Sequence, residues 1–325
     1  MALAIEAKDL VKTYPGDVKA LDELSFSVEQ GTVFGLLGPN GAGKSTAVKI
    51  LTTLAQADSG SATVAGFDVR SQSDQVRRNI GAVQQGSTVD REATGRENLR
   101  LQGQVYGLRG RDLEARASEL LERFGLADAA DRIARGYSGG MERRLHVAMA
   151  LINQPTVLFL DEPTTGLDPE VRADMWTEIS RLASDQGLTI LLTTHYLEEA
   201  DNLASQLAIV DRGSVVAEGT PEALKADLRG DAIHVELAQA EGNGRVSGAL
   251  EELGGIREVS VDGRTLHARA DDGARAVPVV LQALEARGLE VASVSVARPS
   301  LDDVYLRYTG RTFDKAEAEA EEKTR

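Results

Sequence analysis

Eight residues, Gly38-Pro39-Asn40-Gly41-Ala42-Gly43-Lys44-Ser45, constrain this chain more than any other stretch. They fit the pattern G-x-x-x-x-G-K-[ST] between an apolar run at 32–37 and a helical segment starting near Lys44. Glycines let the backbone N–H groups close around an anion, and the helix N-terminus adds its positive end. Strand, glycine-rich turn and helix together read as a phosphate-binding loop. Lys44 is positioned to reach the β- and γ-phosphates of a nucleotide, and the Ser45 hydroxyl to ligate Mg²⁺. Gly38, Pro39, Asn40, Gly41, Ala42, Gly43, Lys44, Ser45 and Thr46 make up the expected binding set.

Such a loop needs an α/β framework, and the flanking sequence supplies one. Continuous apolar runs at 156–160 and 189–194 have the character of strands in the middle of a parallel sheet. Between them, 170–185 carries Val171, Met175, Ile179 and Leu182 at helical spacing. Runs at 208–211 and 214–218 read as a hairpin turning at Arg212-Gly213. The strand Val157-Leu158-Phe159-Leu160 ends on two carboxylates, Asp161 and Glu162. An Asp-Glu-Pro turn alone is ordinary strand termination. Beside a phosphate loop, Asp161 can hold Mg²⁺ and Glu162 can polarise an attacking water.

Composition narrows the function by exclusion. The net charge of −15, with no basic cluster, is poorly suited to nucleic acid. The same charge is repelled by an anionic membrane leaflet, so membrane contact is expected through a protein partner. No run approaches the ~18 apolar residues of a membrane span, and the N-terminus lacks the basic region of a secretory signal. Cysteine is absent, and the four histidines show no metal-ligand spacing. A cytoplasmic setting is expected.

After Leu228 the pattern changes. Strands are expected at 232–237, 258–261, 265–270 and 291–296, with helices at 248–253 and 277–287, the latter carrying Pro278 in its first turn. This β-α-β-β-α-β order is that of a small α+β, ferredoxin-like unit. The domains expected are 1–228 for nucleotide binding, 229–311 for the accessory unit, and a charged tail at 312–325, frayed or disordered. His146, Trp176, His234 and His267 lie in helical or strand patterns and are assigned packing roles.

Tyr137-Ser138-Gly139-Gly140-Met141 resembles the signature motif (usually LSGGQ) of the ABC ATPases, and it precedes the acidic strand as in that family. Gln85 sits where that family carries its Q-loop glutamine, with Gln84 a close competitor. Gly166-Leu167-Asp168 resembles the D-loop, His195 the switch histidine, and Tyr14 falls where an aromatic residue stacks on adenine. The signature departs from its common form at Tyr137 and Met141, which leaves the strength of ATP sandwiching open. Tyr137–Met141, Thr94-Gly95-Arg96-Glu97-Asn98-Leu99 and Pro299-Ser300-Leu301-Asp302-Asp303-Val304-Tyr305 resemble the daunorubicin-resistance type of exporter ATPase, up to Arg311.

The resemblance implies a phosphate-loop ABC ATPase domain with a mostly parallel sheet, using ATP and Mg²⁺. It assigns catalysis to Glu162, His195 and Gln85, and the metal to Ser45, Gln85 and Asp161. Tyr14, Ser138, Gly139, Gly140 and Asp168 join the phosphate loop as nucleotide-binding residues. It further implies a head-to-tail homodimer beneath separate membrane permease subunits, peripheral to the cytoplasmic face, exporting a drug, lipid or other lipophile. A non-transport regulatory ABC ATPase is the alternative. Ribosome-acting and DNA-repair relatives would need a second nucleotide domain or a long coiled coil, and neither is visible in the sequence.

Overall fold

In the computed structural model, which describes residues 2–84, 86–239, 250 and 253–324, the chain divides into two compact units, Met1–Glu218 and Gly219–Arg325. The division falls before the expected boundary at 228. The helix Pro221–Asp227 packs on Leu301–Thr309 and so belongs with the second unit.

The first unit carries two sheets. A four-stranded antiparallel sheet holds β1 (Leu3–Tyr14), β2 (Val18–Glu29), β4 (Ser59–Val64) and β5 (Phe67–Asp68) in the order β2-β1-β4-β5. The sequence reading gave no account of this sheet. The second sheet contains β3 (Val33–Leu37), β6 (Ile80–Val83), β7 (Val157–Asp161), β8 (Thr189–Thr194), β9 (Gln206–Asp211) and β10 (Ser214–Gly219). Its order is β10-β9-β3-β8-β7-β6, with the contacts from β9 through β6 parallel.

Every residue of β3, β7 and β8 is buried, because both faces of the sheet are covered. Alternation along β7 divides the two cores. Leu158 and Leu160 face a cluster with Leu99, Leu145 and Ile179, while Val157 and Phe159 face one with Val48, Phe26 and Ile5. Each such fully buried side chain contributes about 1.5–3 kcal/mol. The first cluster is built by α3 (Gly95–Val105), α4 (Gly110–Arg123), α5 (Gly139–Ala150) and α6 (Pro169–Gln186). α1 (Lys44–Leu51) covers the other face, and α2 (Ser73–Asn79) and α7 (Leu197–Leu203) complete the unit. All five C-terminal ends of the parallel strands point the same way, the edge at which α/β sheets bind ligands.

The second unit has α8 (Pro221–Asp227) and the strands β11 (Asp231–Leu237), β12 (Ile256–Asp262), β13 (Thr265–Ala270) and β14 (Val291–Ala297). They form an antiparallel sheet in the order β12-β13-β11-β14. The expected helix at 248–253 lies outside the described residues except for helical Leu250 and for Leu253. α9 (Gly273–Glu285) starts earlier than expected because Asp272 caps it, accepting from the Arg275 N–H, so Pro278 lies inside the helix rather than in its first turn. α10 (Leu301–Thr309) opens with a Ser300–Asp303 capping box. The described part of the tail is helical. It forms α11 (Phe313–Thr324), held by buried Phe313 against the Tyr305 ring at 5.0 Å between centroids.

Candidate active site

The loop between β3 and α1 takes its shape from glycine. Gly43 sits at φ 108° as the N-cap of α1, and a Cβ there would meet the Ala20 carbonyl at 2.4 Å. A Cβ on Gly38 would meet the Val210 carbonyl at 2.3 Å. The N-cap glycine offers no side-chain acceptor to the first turn of α1, so those N–H groups remain directed at whatever occupies the loop. Lys44, 4% exposed, folds back over the loop and donates to the Gly38 and Pro39 carbonyls at 2.6 and 3.0 Å.

The acidic end of β7 meets this loop. Asp161 Oδ1 accepts from Thr193 Oγ at 2.6 Å and from Ser45 Oγ at 3.2 Å. These adjacent oxygens suit a hard divalent cation. Glu162 is held at φ 51°, a left-handed conformation costly for a non-glycine residue. Thr193 fixes it there, accepting the Glu162 N–H through both its carbonyl and its hydroxyl at 3.1 Å. Glu162 Oε1 lies 3.9 Å from Lys44 Nζ and 3.3 Å from His195 Nδ1. The histidine contact misses hydrogen-bond alignment, so His195 Nδ1 is buried with no hydrogen-bond partner. An unsatisfied nitrogen beside a buried carboxylate and ammonium fits a site for a phosphate group.

The signature residues sit on a second helix N-terminus. Ser138 caps α5, accepting from the Met141 N–H, and both Ser138 and Gly139 are exposed. Tyr137 is buried instead: its hydroxyl donates to the Ala129 carbonyl at 2.7 Å, and a Cβ on Gly95 would strike that hydroxyl at 2.4 Å. The Tyr137 substitution is thus accommodated inside the helical layer, while Ser138 and Gly139 remain exposed. Asp168 caps α6 by accepting from the Val171 N–H, and Val171 is the side chain that a Cβ on Gly140 would hit at 2.6 Å. The first turn of α6, which Asp168 caps, therefore packs against the signature helix. Tyr14 is half-buried at the end of β1, with Lys12 Nζ 5.8 Å from its ring centre. Gln85 lies outside the described residues; Gln84 is exposed.

Three further residues escaped the sequence reading. Thr193 is one of them; consecutive threonines closing an apolar buried strand were the available signal. Arg143, on α5, donates to the carbonyls of Pro163, Glu162, Gln84 and Asp161 at 2.7, 2.9, 3.2 and 3.4 Å. Burial pushes its pKa down, against the opposing pull of Glu199, Asp161 and Glu162. Glu199, fully buried on α7, accepts from Thr164 Oγ at 2.7 Å and Trp176 Nε1 at 3.0 Å. A cleft of about 520 Å³ is lined by Gly139, Arg143, Glu162 and Leu167. The other large cleft, about 540 Å³, opens at Val157 and Thr189, the opposite ends of β7 and β8.

Known proteins resemble this chain in sequence and in fold. Residues 21–165 match the family model described as ABC transporter, and 219–309 match the ATP-binding protein DrrA1-3-like, C-terminal domain. The chain is 46% identical to the daunorubicin resistance ATP-binding protein DrrA2 of Streptomyces coeruleorubidus, over 97% of this chain and 98% of that one. It is 42% identical to the Nod factor export ATP-binding protein I of Sinorhizobium fredii, over 95% and 87% respectively. Among solved structures it resembles the ATP-binding cassette MJ0796, a dimer in a post-hydrolysis state bound to ADP and Pi. That match has a TM-score of 0.61 and 25% identity, and it covers 66% of this chain and 98% of the other.

Proposed function

The chain belongs to the daunorubicin-resistance family of ABC transporter ATP-binding proteins, and from that premise we propose that it exports a lipophilic compound by closing as a dimer on ATP. The observation that carries the proposal is the convergence of Lys44, Ser45, Asp161, Glu162 and His195 at one end of the parallel sheet.

ATP hydrolysis to ADP and phosphate is the family's reaction, and these residues divide its work. Lys44 exchanges its loop carbonyls for the β- and γ-phosphates. Glu162, held by Thr193, orients water for attack on the γ-phosphate. His195 offers its unpartnered nitrogen to that phosphate. Ser45 and Asp161, with Gln85, would hold Mg²⁺, which neutralises charge on the phosphate oxygens when bound. Tyr14 stacks on the adenine. Ser138, Gly139 and Gly140 of a second copy close the site, and Asp168 signals between copies. The exposure of Ser138 and Gly139 supports such a partner.

Coupling would pass to separate membrane subunits, since no helix among the described residues is long and apolar enough to cross a membrane. Leu101, Val105 and Tyr106 are exposed on and just after α3, following the Gln84–Gln85 segment, and offer an apolar face for that contact. The cargo reading rests on relatives whose names specify daunorubicin resistance and Nod factor export. The second unit, with its 4-1-3-2 order of antiparallel strands, is taken as a ferredoxin-like accessory module. Purification of the tagged chain in mild detergent tests the whole reading. A co-purifying polytopic protein that stimulates ATP hydrolysis is expected. Hydrolysis with no membrane partner would favour a regulatory ATPase instead.

A further inference from the structure

Among the described residues, three potential metal ligands converge far along the chain from the phosphate loop: His234 on β11, His267 on β13 and Asp303 in the first turn of α10. His234 and His267 are direct register partners across an antiparallel pair, so their side chains rise from the same face of the sheet. Their Nδ1 atoms are 3.0 Å apart, with the rings edge to face. Asp303 Oδ1 lies 3.9 Å from His234 Nε2. Its other oxygen, Oδ2, accepts from the Ser300 N–H and hydroxyl in the capping box. Capping therefore uses one oxygen and leaves the other turned to the histidines.

Helix capping explains why an acid stands at 303 but not why two imidazoles face it. His267 and Asp303 are 9% and 8% exposed, and clustering such groups in an interior costs free energy unless a partner repays it. One ligand atom from each residue falls within 4.8 Å of the others. Bonds of ~2.0–2.1 Å to a tetrahedral zinc put neighbouring ligand atoms about 3.3 Å apart; His234 would offer one of its two ring nitrogens, since its Nδ1 faces His267 and its Nε2 faces Asp303. Imidazole and carboxylate donors favour zinc-like cations over Mg²⁺ or Ca²⁺. Arg269 faces Asp303 from β13, but it is paired with Glu258 at 3.2 Å.

We propose that His234, His267 and Asp303 bind one divalent transition metal of the zinc type, tying β11, β13 and α10 together. The full-length chain, without nucleotide, is dialysed against zinc chloride and, separately, titrated with cobalt(II). One zinc per chain and the intense visible bands of tetrahedral cobalt are expected. His234→Gln, at the most exposed of the three positions, and Asp303→Asn should each weaken zinc binding at least ~10-fold. Mg-ATP affinity should stay within twofold in both variants, which separates this site from the nucleotide site. No bound zinc, absent or octahedral-type cobalt spectra, or equal zinc binding by both variants would overturn the proposal. The two histidines would then be only a hydrogen-bonded pair.

Discussion

Lys44 Nζ stands 3.9 Å from Glu162 Oε1, with both side chains only 4% exposed. The residue proposed to grip phosphate and the residue proposed to activate water thus share one buried electrostatic site. Lys44→Ala removes charged hydrogen bonds worth about 1.5–3 kcal/mol each. Mg-ATP affinity should fall at least ~100-fold by calorimetry, and unchanged affinity would refute the loop assignment.

Glu162→Gln should keep ATP binding while slowing hydrolysis by the ~10²–10⁴-fold typical of a lost positioned base. The amide retains the shape and the strained backbone position but cannot polarise water as a carboxylate does. Phosphate release and nucleotide binding measured on the same preparation separate the two effects. Near-normal turnover would place the base elsewhere.

Ser138→Arg should bind ATP nearly normally yet fail to hydrolyse it, because the cation would occupy the exposed helix end where the second copy's nucleotide docks. Mixed with Lys44→Ala protein, it forms heterodimers in which both lesions fall on one site. Partial recovery of turnover is the expected result. Strict absence of recovery at all mixing ratios would speak against the head-to-tail arrangement.

The phosphate loop, the acidic strand and the order of motifs were legible because each depends on residues adjacent in sequence. Thr193, Arg143 and Glu199 were not, because their roles arise from contacts with carbonyls and hydroxyls on other elements. Arg143 follows the signature as one arginine of a pair, and nothing local distinguishes it from Arg144. Pro278 was placed in a first turn because proline is tolerated there, but the Asp272 cap lies farther upstream. The antiparallel sheet around β1 escaped because its strands are amphipathic and broken by register shifts between Leu3 and Thr13. The tail reads as solvated by composition, yet Phe313 packs on Tyr305 and its N–H donates to Asp302.

His146 gives the first unit a pH dependence. It is 3% exposed, contacts Thr88 Oγ at 3.0 Å, and burial, reinforced by Arg143 and opposed by Glu142, lowers its pKa from 6.5 to about 4. The folded state therefore holds it neutral where the unfolded chain takes up a proton. Its stabilisation is complete above pH 6.5 and is lost as pH falls toward 4, amounting to ~3 kcal/mol. Urea unfolding across this window should show a steeper loss in the native protein than in His146→Gln. Equal slopes would refute the assignment.

Arg143→Gln should lower kcat for ATP more than it changes KM. The guanidinium of Arg143 holds the backbone of Asp161, Glu162 and Pro163 through their carbonyls, and Gln84 with them. One side chain on the signature helix thereby fixes the strained turn that presents Glu162 and the segment leading to Gln85. Losing it leaves buried carbonyls unsatisfied and removes a buried charge facing three carboxylates, a destabilisation on the order of 3 kcal/mol. Lysine should rescue fold stability in part but kcat poorly, because a point charge cannot fork across several carbonyls. Steady-state kinetics and urea unfolding on both variants make the comparison. A purely structural role predicts that kcat per folded molecule is unchanged in Arg143→Lys. A positioning role predicts that it falls.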